Sequence, residues 1–346
     1  MRRLILLCSL LVISFSGTSC GEDDKSEFNF NEYVNPDQKF SILQYELRSI
    51  YNLTLERFGL KKVDDNKIKI KKIIHERIRD NDLNFYFDVV FPLPEFTLGS
   101  SPKLLLLSPR NKIERFDELL LINDLSDDEI VSLETEIELN TNFSAIIINI
   151  GGIAAYPSII KSSESQVNIL KTASHEWLHQ YLIMFPLGRA YFKDENLRTV
   201  NETLANIFSE QIIKEACNEG YEYFLKDCPK SNGIELVKNK FDYRDFMKNL
   251  RIQVDKLLIR GDLKEAEIIM KESSEILKSE GFNVRKINQA WFAFHGSYAD
   301  SPGSTSNVDK DLETFINSKD SIGLAIKDLR KIKNYNHYKN LLGIGQ

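Results

Sequence analysis

One five-residue run constrains this chain more than any other: His175-Glu176-Trp177-Leu178-His179. It lies within Gln166 to Phe185, where apolar residues recur at helical spacing. Leu170, Ala173, Trp177, Tyr181 and Met184 form a stripe separate from the motif's own polar side, so the helix is apolar on both flanks and belongs in an interior. His175, Glu176 and His179 are its polar exceptions, and buried polar groups need partners. The four-residue spacing stacks both imidazoles on one side, one turn apart, where both can bind one Zn²⁺. Glu176 is turned about 100° from His175, within reach of a water at the metal without being a ligand. With 5 His in 346 residues, such a run arises by coincidence in about one chain per hundred, so its surroundings carry the argument.

A hydrolytic zinc site takes three protein ligands and leaves a fourth place open. A third histidine six residues on is excluded, because Phe185 stands there and Leu182 replaces the glycine of that longer motif. Asn201-Glu202-Thr203-Leu204-Ala205-Asn206 offers a carboxylate instead, on a second predicted helix from Leu197 to Cys217. Leu197, Val200, Leu204 and Ile207 make that helix's apolar stripe, and Glu202 and Asn206 lie nearly opposite. Glu195 and Glu210 compete for the role; Glu195 is expected to precede the regular helix, and Glu210 lies two turns further on.

This combination resembles the gluzincin clan of zinc metallopeptidases, which includes the thermolysin-like enzymes and the M1-type aminopeptidases. In that clan a second, downstream helix carries the third ligand; here Glu202 follows His179 by 23 residues. The resemblance implies a zincin-like α+β fold, Zn²⁺ held by His175, His179 and Glu202, Glu176 as general base, and a peptide or protein substrate. Many members place an Asp four residues after the ligand Glu to orient a zinc histidine, and Asn206 is its uncharged counterpart. They also commonly bring a later His or Tyr to the oxyanion. His295 and Tyr298 are the candidates, the first lying 93 residues beyond Glu202. The alternative there is a helix end with a capping glycine and a packed tyrosine. The G-x-M-E-N motif that binds a terminal amine in M1-type enzymes is absent; Gly151-Gly152-Ile153-Ala154-Ala155 is the glycine-rich segment in a comparable place.

The start of the chain bears on compartment. Arg2 and Arg3 precede an apolar stretch from Leu4 to Phe15, too short to span a bilayer, and small residues follow. That is the pattern of a signal peptide over residues 1–19. Gly17-Thr18-Ser19-Cys20 resembles the lipobox of bacterial lipoproteins, with Gly17 in place of the usual Leu. It implies an acylated Cys20, a membrane anchor and export to the bacterial cell envelope, in the periplasm or on the cell surface. Ordinary signal-peptidase cleavage is the alternative. An acidic tether is expected over 20–35. Of the 4 cysteines, Cys217 and Cys228 then remain, as a disulfide or as two buried thiols. The 45 Lys and Arg against 51 Asp and Glu exclude the basic excess of a nucleic-acid binder.

The rest of the pattern gives an α+β chain. A helix is expected over Pro36–Leu60, strands at Leu83–Val89, Leu104–Leu107 and Ala145–Ile150, and a polar surface helix at Ser126–Leu139. After Ser165 helices alone are expected, including Ile234–Ile259, Asp262–Ser279, Val284–Phe294 and two shorter ones near the C-terminus. An N-terminal sheet-and-helix subdomain over 36–165 would pack on a helical catalytic subdomain over 166–346, with the active-site cleft between them. The expected function is zinc-dependent hydrolysis of peptide bonds in the envelope. The alternative is an inactive envelope lipoprotein of the same fold that acts as a binding module.

Overall fold

The computed structural model describes residues 28–84, 89–162, 164–221, 224–228 and 241–344. The expected signal peptide, Cys20 and most of the expected strand at Leu83–Val89 lie outside them. Helices α1 (Ile42–Arg57) and α2 (Asp65–Asp80) come first. Strands β1 (Phe96–Gly99), β2 (Lys103–Pro109) and β3 (Asp117–Leu121) lead to α3 (Asp127–Asn140), then β4 (Phe143–Asn149), β5 (Gly152–Ile153) and β6 (Ser158–Lys161). The remaining described elements are helices: α4 (Gln166–Leu182), α5 (Pro186–Arg189), α6 (Glu195–Asn218), α7 (Tyr243–Arg260), α8 (Leu263–Ser279), α9 (Gln289–His295), α10 (Val308–Asn317), α11 (Ile322–Leu329) and α12 (Tyr335–Leu342). The fold is α+β.

Strand β2 explains how the two halves join. It pairs antiparallel with β3 on one side and β4 on the other. Its leucines alternate: Leu105 and Leu107 face α3, while Leu104 and Leu106 face α7, α8 and α9. The sheet is therefore covered on both faces, which is why its central strand reads as an unbroken apolar run. A second sheet has the order β1-β6-β5, with β6 parallel to β1 and antiparallel to β5, so β5 is an edge. The largest core lies beneath α4 and α6 and includes Ile70, Ile73, Ile74 and Ile78 of α2. Residue 165 thus marks where strands stop, whereas two of the cores draw on both sides of it.

Several expectations need correction. The expected tether over 20–35 is packed from Phe28 onward: Phe28, Phe30, Tyr33 and Val34 pack with α3 and the first sheet, and Phe28 stacks 5.4 Å from Tyr33. Helix α2 is a further element, its isoleucines interrupted by lysines and arginines, and Asp64 caps it through Asn66 N. The helix expected from Val284 begins only at Gln289. Arg285 and Lys286 reach Glu134 and the Ile147 and Ala145 carbonyls instead, and Asn288 caps α9 by accepting from Trp291 N. Near the C-terminus there are three short helices rather than two.

Glycine spacing sets one close approach. A Cβ at Gly323 of α11 would lie 1.5 Å from the Asn81 carbonyl oxygen at the end of α2. Gly323→Ala must separate the two elements, and overpacking of this kind costs about 1–3 kcal/mol or more. Chemical denaturation should show that loss as a lowered midpoint at unchanged slope.

Candidate metal centre

The site is built by α4 crossing α6. Ser165 caps α4 through Asn168 N, and the helix runs without a break past both histidines. Its apolar side holds it in place: Trp177 lies 5.8 Å from Phe208 of α6 and donates from its indole nitrogen to the Pro92 carbonyl at 2.8 Å. Asp194 caps α6 by accepting from Asn196 N and Leu197 N. Glu195 is consequently the first helical residue, not one that precedes the helix.

These two helices place His175, His179 and Glu202 together. The two Nε2 atoms are 2.9 Å apart, and Glu202 Oε2 lies 3.3 Å from that of His175 and 3.4 Å from that of His179. A tetrahedral ion with ligands at about 2.0–2.1 Å needs donor atoms about 3.3 Å from one another. Two edges of this triangle meet that spacing, and the third is a few tenths of an ångström short. Glu202 is buried, and its Oε2 receives no hydrogen bond. An orphaned buried carboxylate oxygen facing two imidazole nitrogens is the donor set that a divalent cation satisfies. The three residues can hold a metal ion.

Electrostatics agrees with the geometry. Burial alone would raise the Glu202 carboxyl, but the neighbouring imidazoles overcome it and hold the group well below the usual carboxylate range. Burial would likewise lower His179. Glu202, with help from Glu176 and Asn201, instead pushes it up to about 9.

The surrounding residues include three that the sequence reading missed. Tyr191 donates its hydroxyl to Glu202 Oε1, leaving Oε2 for the triad. Asn201 Oδ1 sits 2.8 Å from His179 Nδ1, so it can hold that nitrogen protonated and turn the Nε2 lone pair inward. This corrects the role expected of Asn206. Its amide donates to both carboxylate oxygens of Asp300, at 3.1 and 3.2 Å, and no hydrogen bond joins it to either histidine. Arg115, deeply buried, forks onto Glu118, and its charge acts on both Tyr191 and Tyr298. Asn201 was detectable as the neighbour of the ligand; Tyr191 and Arg115 reach the site only through tertiary structure.

Glu176 has no protein hydrogen bond to its carboxylate among the described residues, and burial raises it above the usual range. The backbone of β5 lies over it: a Cβ at Gly152 would fall 2.7 Å from Glu176 Oε1. The two oxyanion candidates part company. Tyr298 is enclosed within electrostatic reach of Glu202, Tyr191, Arg115 and Glu176, and burial keeps its hydroxyl protonated. Its loop is pinned to α6 by Ala299 N donating to Thr203 Oγ1 at 3.1 Å and by the Asn206–Asp300 pair. His295 instead packs 4.0 Å from the Trp291 ring, and burial lowers it to about 4. No hydrogen bond or ion pair ties it to the triad. Glu210 is occupied by Lys171 at 3.1 Å on the surface, and Glu195 lies outside the cluster.

The chain matches no protein-family model, no curated protein and no solved structure. Its function must be argued from the site itself. A test of that geometry separates two asparagines. If the triad holds a metal, Asn201→Ala should weaken the binding of added Zn²⁺ by about 10–100-fold, the usual effect of losing the partner of a ligand histidine. Asn206→Ala should leave affinity nearly unchanged. A competition titration against a chromophoric chelator reads both, and the opposite order would refute the assignment.

Proposed function

We propose that this chain is a zinc-dependent peptidase, gluzincin-like in its ligand set and zincin-like in fold, acting from a lipid anchor in the bacterial cell envelope. The observation that carries the proposal is the His175–His179–Glu202 triad with an uncommitted carboxylate, Glu176, beside it. Zinc, rather than a harder cation, suits two imidazoles and one carboxylate. When bound there, zinc polarises a carbonyl and lowers the pKa of water it holds toward about 7.

The chain's own residues supply the remaining steps. An extended peptide can pair with the edge strand β5, whose Gly152 backbone lies close against Glu176. The cleft for it would lie between that edge and the helices α4 and α6. Glu176 accepts a proton from the attacking water as the new carbon–oxygen bond forms, then delivers it to the amine as the carbon–nitrogen bond breaks. Tyr298, kept protonated by burial, donates a hydrogen bond to the oxygen on which negative charge develops. Tyr191 and Asn201 hold Glu202 and His179 in register throughout.

The chain also joins Cys217 to Cys228, whose Cα atoms are 5.8 Å apart. A structural disulfide persists in an oxidising compartment, where an exported chain would reside. Among the described residues no helix is long and apolar enough to cross a membrane. Attachment in this reading rests on Cys20.

Two experiments test the reading. Glu176→Gln should keep about one zinc per chain while activity on a mixture of peptides falls by about 10²–10⁴. Glu202→Gln should lose zinc and, with it, the stability that a metal bound only to the native state provides. Zinc bound without any peptide hydrolysis by the native chain would instead favour a binding module. The anchor is tested separately. Cys20→Ala should lose labelling by a fatty-acid probe, and labelling retained by that variant would refute acylation.

A further inference from the structure

Helix α1 faces the wrong way for a helix of a self-contained domain. Its two fully buried residues, Glu46 and Ser49, are polar. Glu46 accepts from Tyr156 N at 3.0 Å, and the neighbouring Tyr45 hydroxyl donates to the Pro157 carbonyl at 3.1 Å, so the inner face is held largely by polar contacts. Ile42, Ile50 and Leu53 are half-buried. The outward face carries Leu43, Leu47 and Tyr51 at four-residue steps, 47 %, 53 % and 65 % exposed. Phe58 and Leu60 extend that stripe beyond the helix, at 73 % and 74 %. Single exposed apolar residues are ordinary, but a stripe along one helix marks a surface that something covers.

Charge indicates what covers it. From Lys39 to Lys62 the sequence holds 5 Lys and Arg against 2 Asp and Glu, an excess of +3 in a chain whose net charge is −6. Arg48, Arg57, Lys61 and Lys62 are exposed around the stripe. Apolar side chains rimmed by cations on one helix face fit the boundary between anionic headgroups and acyl chains. The covalent map points the same way, and this part of the argument rests on the proposed acylation of Cys20. Only the seven residues Gly21 to Glu27 separate that cysteine from Phe28, the first described residue. That length spans at most about 28 Å even fully extended. The folded body is thereby kept close to the bilayer.

We propose that α1 and the turn after it form a docking surface for an anionic phospholipid bilayer, with Leu43, Leu47, Tyr51, Phe58 and Leu60 entering the interface and the surrounding cations meeting the headgroups. The contact would orient a body that a lipid tether alone would leave free to rotate.

The test uses the chain from Gly21 onward, which retains every described residue but has no Cys20 to acylate. Its success or failure is therefore independent of whether Cys20 is lipidated, which Cys20→Ala in cells decides. Sedimentation is measured with vesicles of phosphatidylglycerol and phosphatidylcholine in equal parts, and with phosphatidylcholine alone. The chain should bind the anionic vesicles at least about tenfold more tightly than the neutral ones, and added salt should weaken that binding. Leu47→Asn combined with Phe58→Asn should reduce it by about tenfold or more, with zinc content and thermal transition unchanged. Lys61→Gln with Lys62→Gln should weaken it less and flatten the salt dependence. Equal binding to both vesicle types, or none to the anionic ones, overturns the proposal without recourse to any variant. A monomer–dimer equilibrium in analytical ultracentrifugation that the Leu47/Phe58 variant abolishes would assign the face to a second copy and overturn it as well.

Discussion

The Glu202 carboxylate is the interaction on which the site depends. Bringing a charged group into the interface of α4 and α6 costs several kcal/mol unless partners repay it. The partners are distributed around it: Tyr191 satisfies Oε1, and the His175 and His179 nitrogens face Oε2. What remains unsatisfied is one oxygen directed at two nitrogens. A structural ion pair would instead gain from hydrogen bonds on both oxygens, since a half-satisfied buried network is costly. The incompleteness is itself the argument for a cation. On the hidden side of α4, Trp177 packs against Tyr181 and Phe208.

From that carboxylate the order extends along α6. Asn201, one residue before it, meets His179, and Thr203, one residue after it, accepts from Ala299 N. Asn206, a turn further on, holds Asp300. A single helix thus supplies the carboxylate of the triad, meets a histidine of the other helix and fixes the loop that carries Tyr298. Residues assigned to separate tasks by their spacing turn out to be coupled through one rigid element. A change at Asn206 should consequently act first on the loop that carries Tyr298.

What could be read from the sequence was what local periodicity encodes. The motif helix, the run at Leu104–Leu107 and the position of Glu202 opposite an apolar stripe all follow from spacing on one element. The pairing of Cys217 with Cys228 was open as one of two readings, and the structure shows the bond. The rest depended on contacts between elements. Helix α2 is hidden by its own lysines, yet Ile70, Ile73, Ile74 and Ile78 sit in the largest core because other helices cover them. The stretch from Val284 to Asn288 has helical periodicity, but bonds to Glu134 and the β4 backbone outcompete it. Tyr191 and Arg115 carry no signal of their own, since nothing in sequence brings them to Glu202 or Tyr298.

The edge strand shows why a glycine there serves the site. β5 is only two residues long, and it ends a mixed sheet directly above α4. Any side chain at position 152 would meet both Glu176 Oε1 and Thr172 Cγ2 at 2.7 Å, so the strand could approach the motif helix no further than that side chain allowed. Glycine removes the obstacle and leaves a bare backbone beside an unpaired carboxylate. On the opposite side of the same loop, Gln180 of α4 bonds the Ala155 carbonyl and Ser158, while Glu46 of α1 bonds Tyr156 N. The wall above Glu176 is therefore held from two directions: by the helix that carries the motif, and by the helix whose outer face is left apolar. The outer helix and the site thus share one loop.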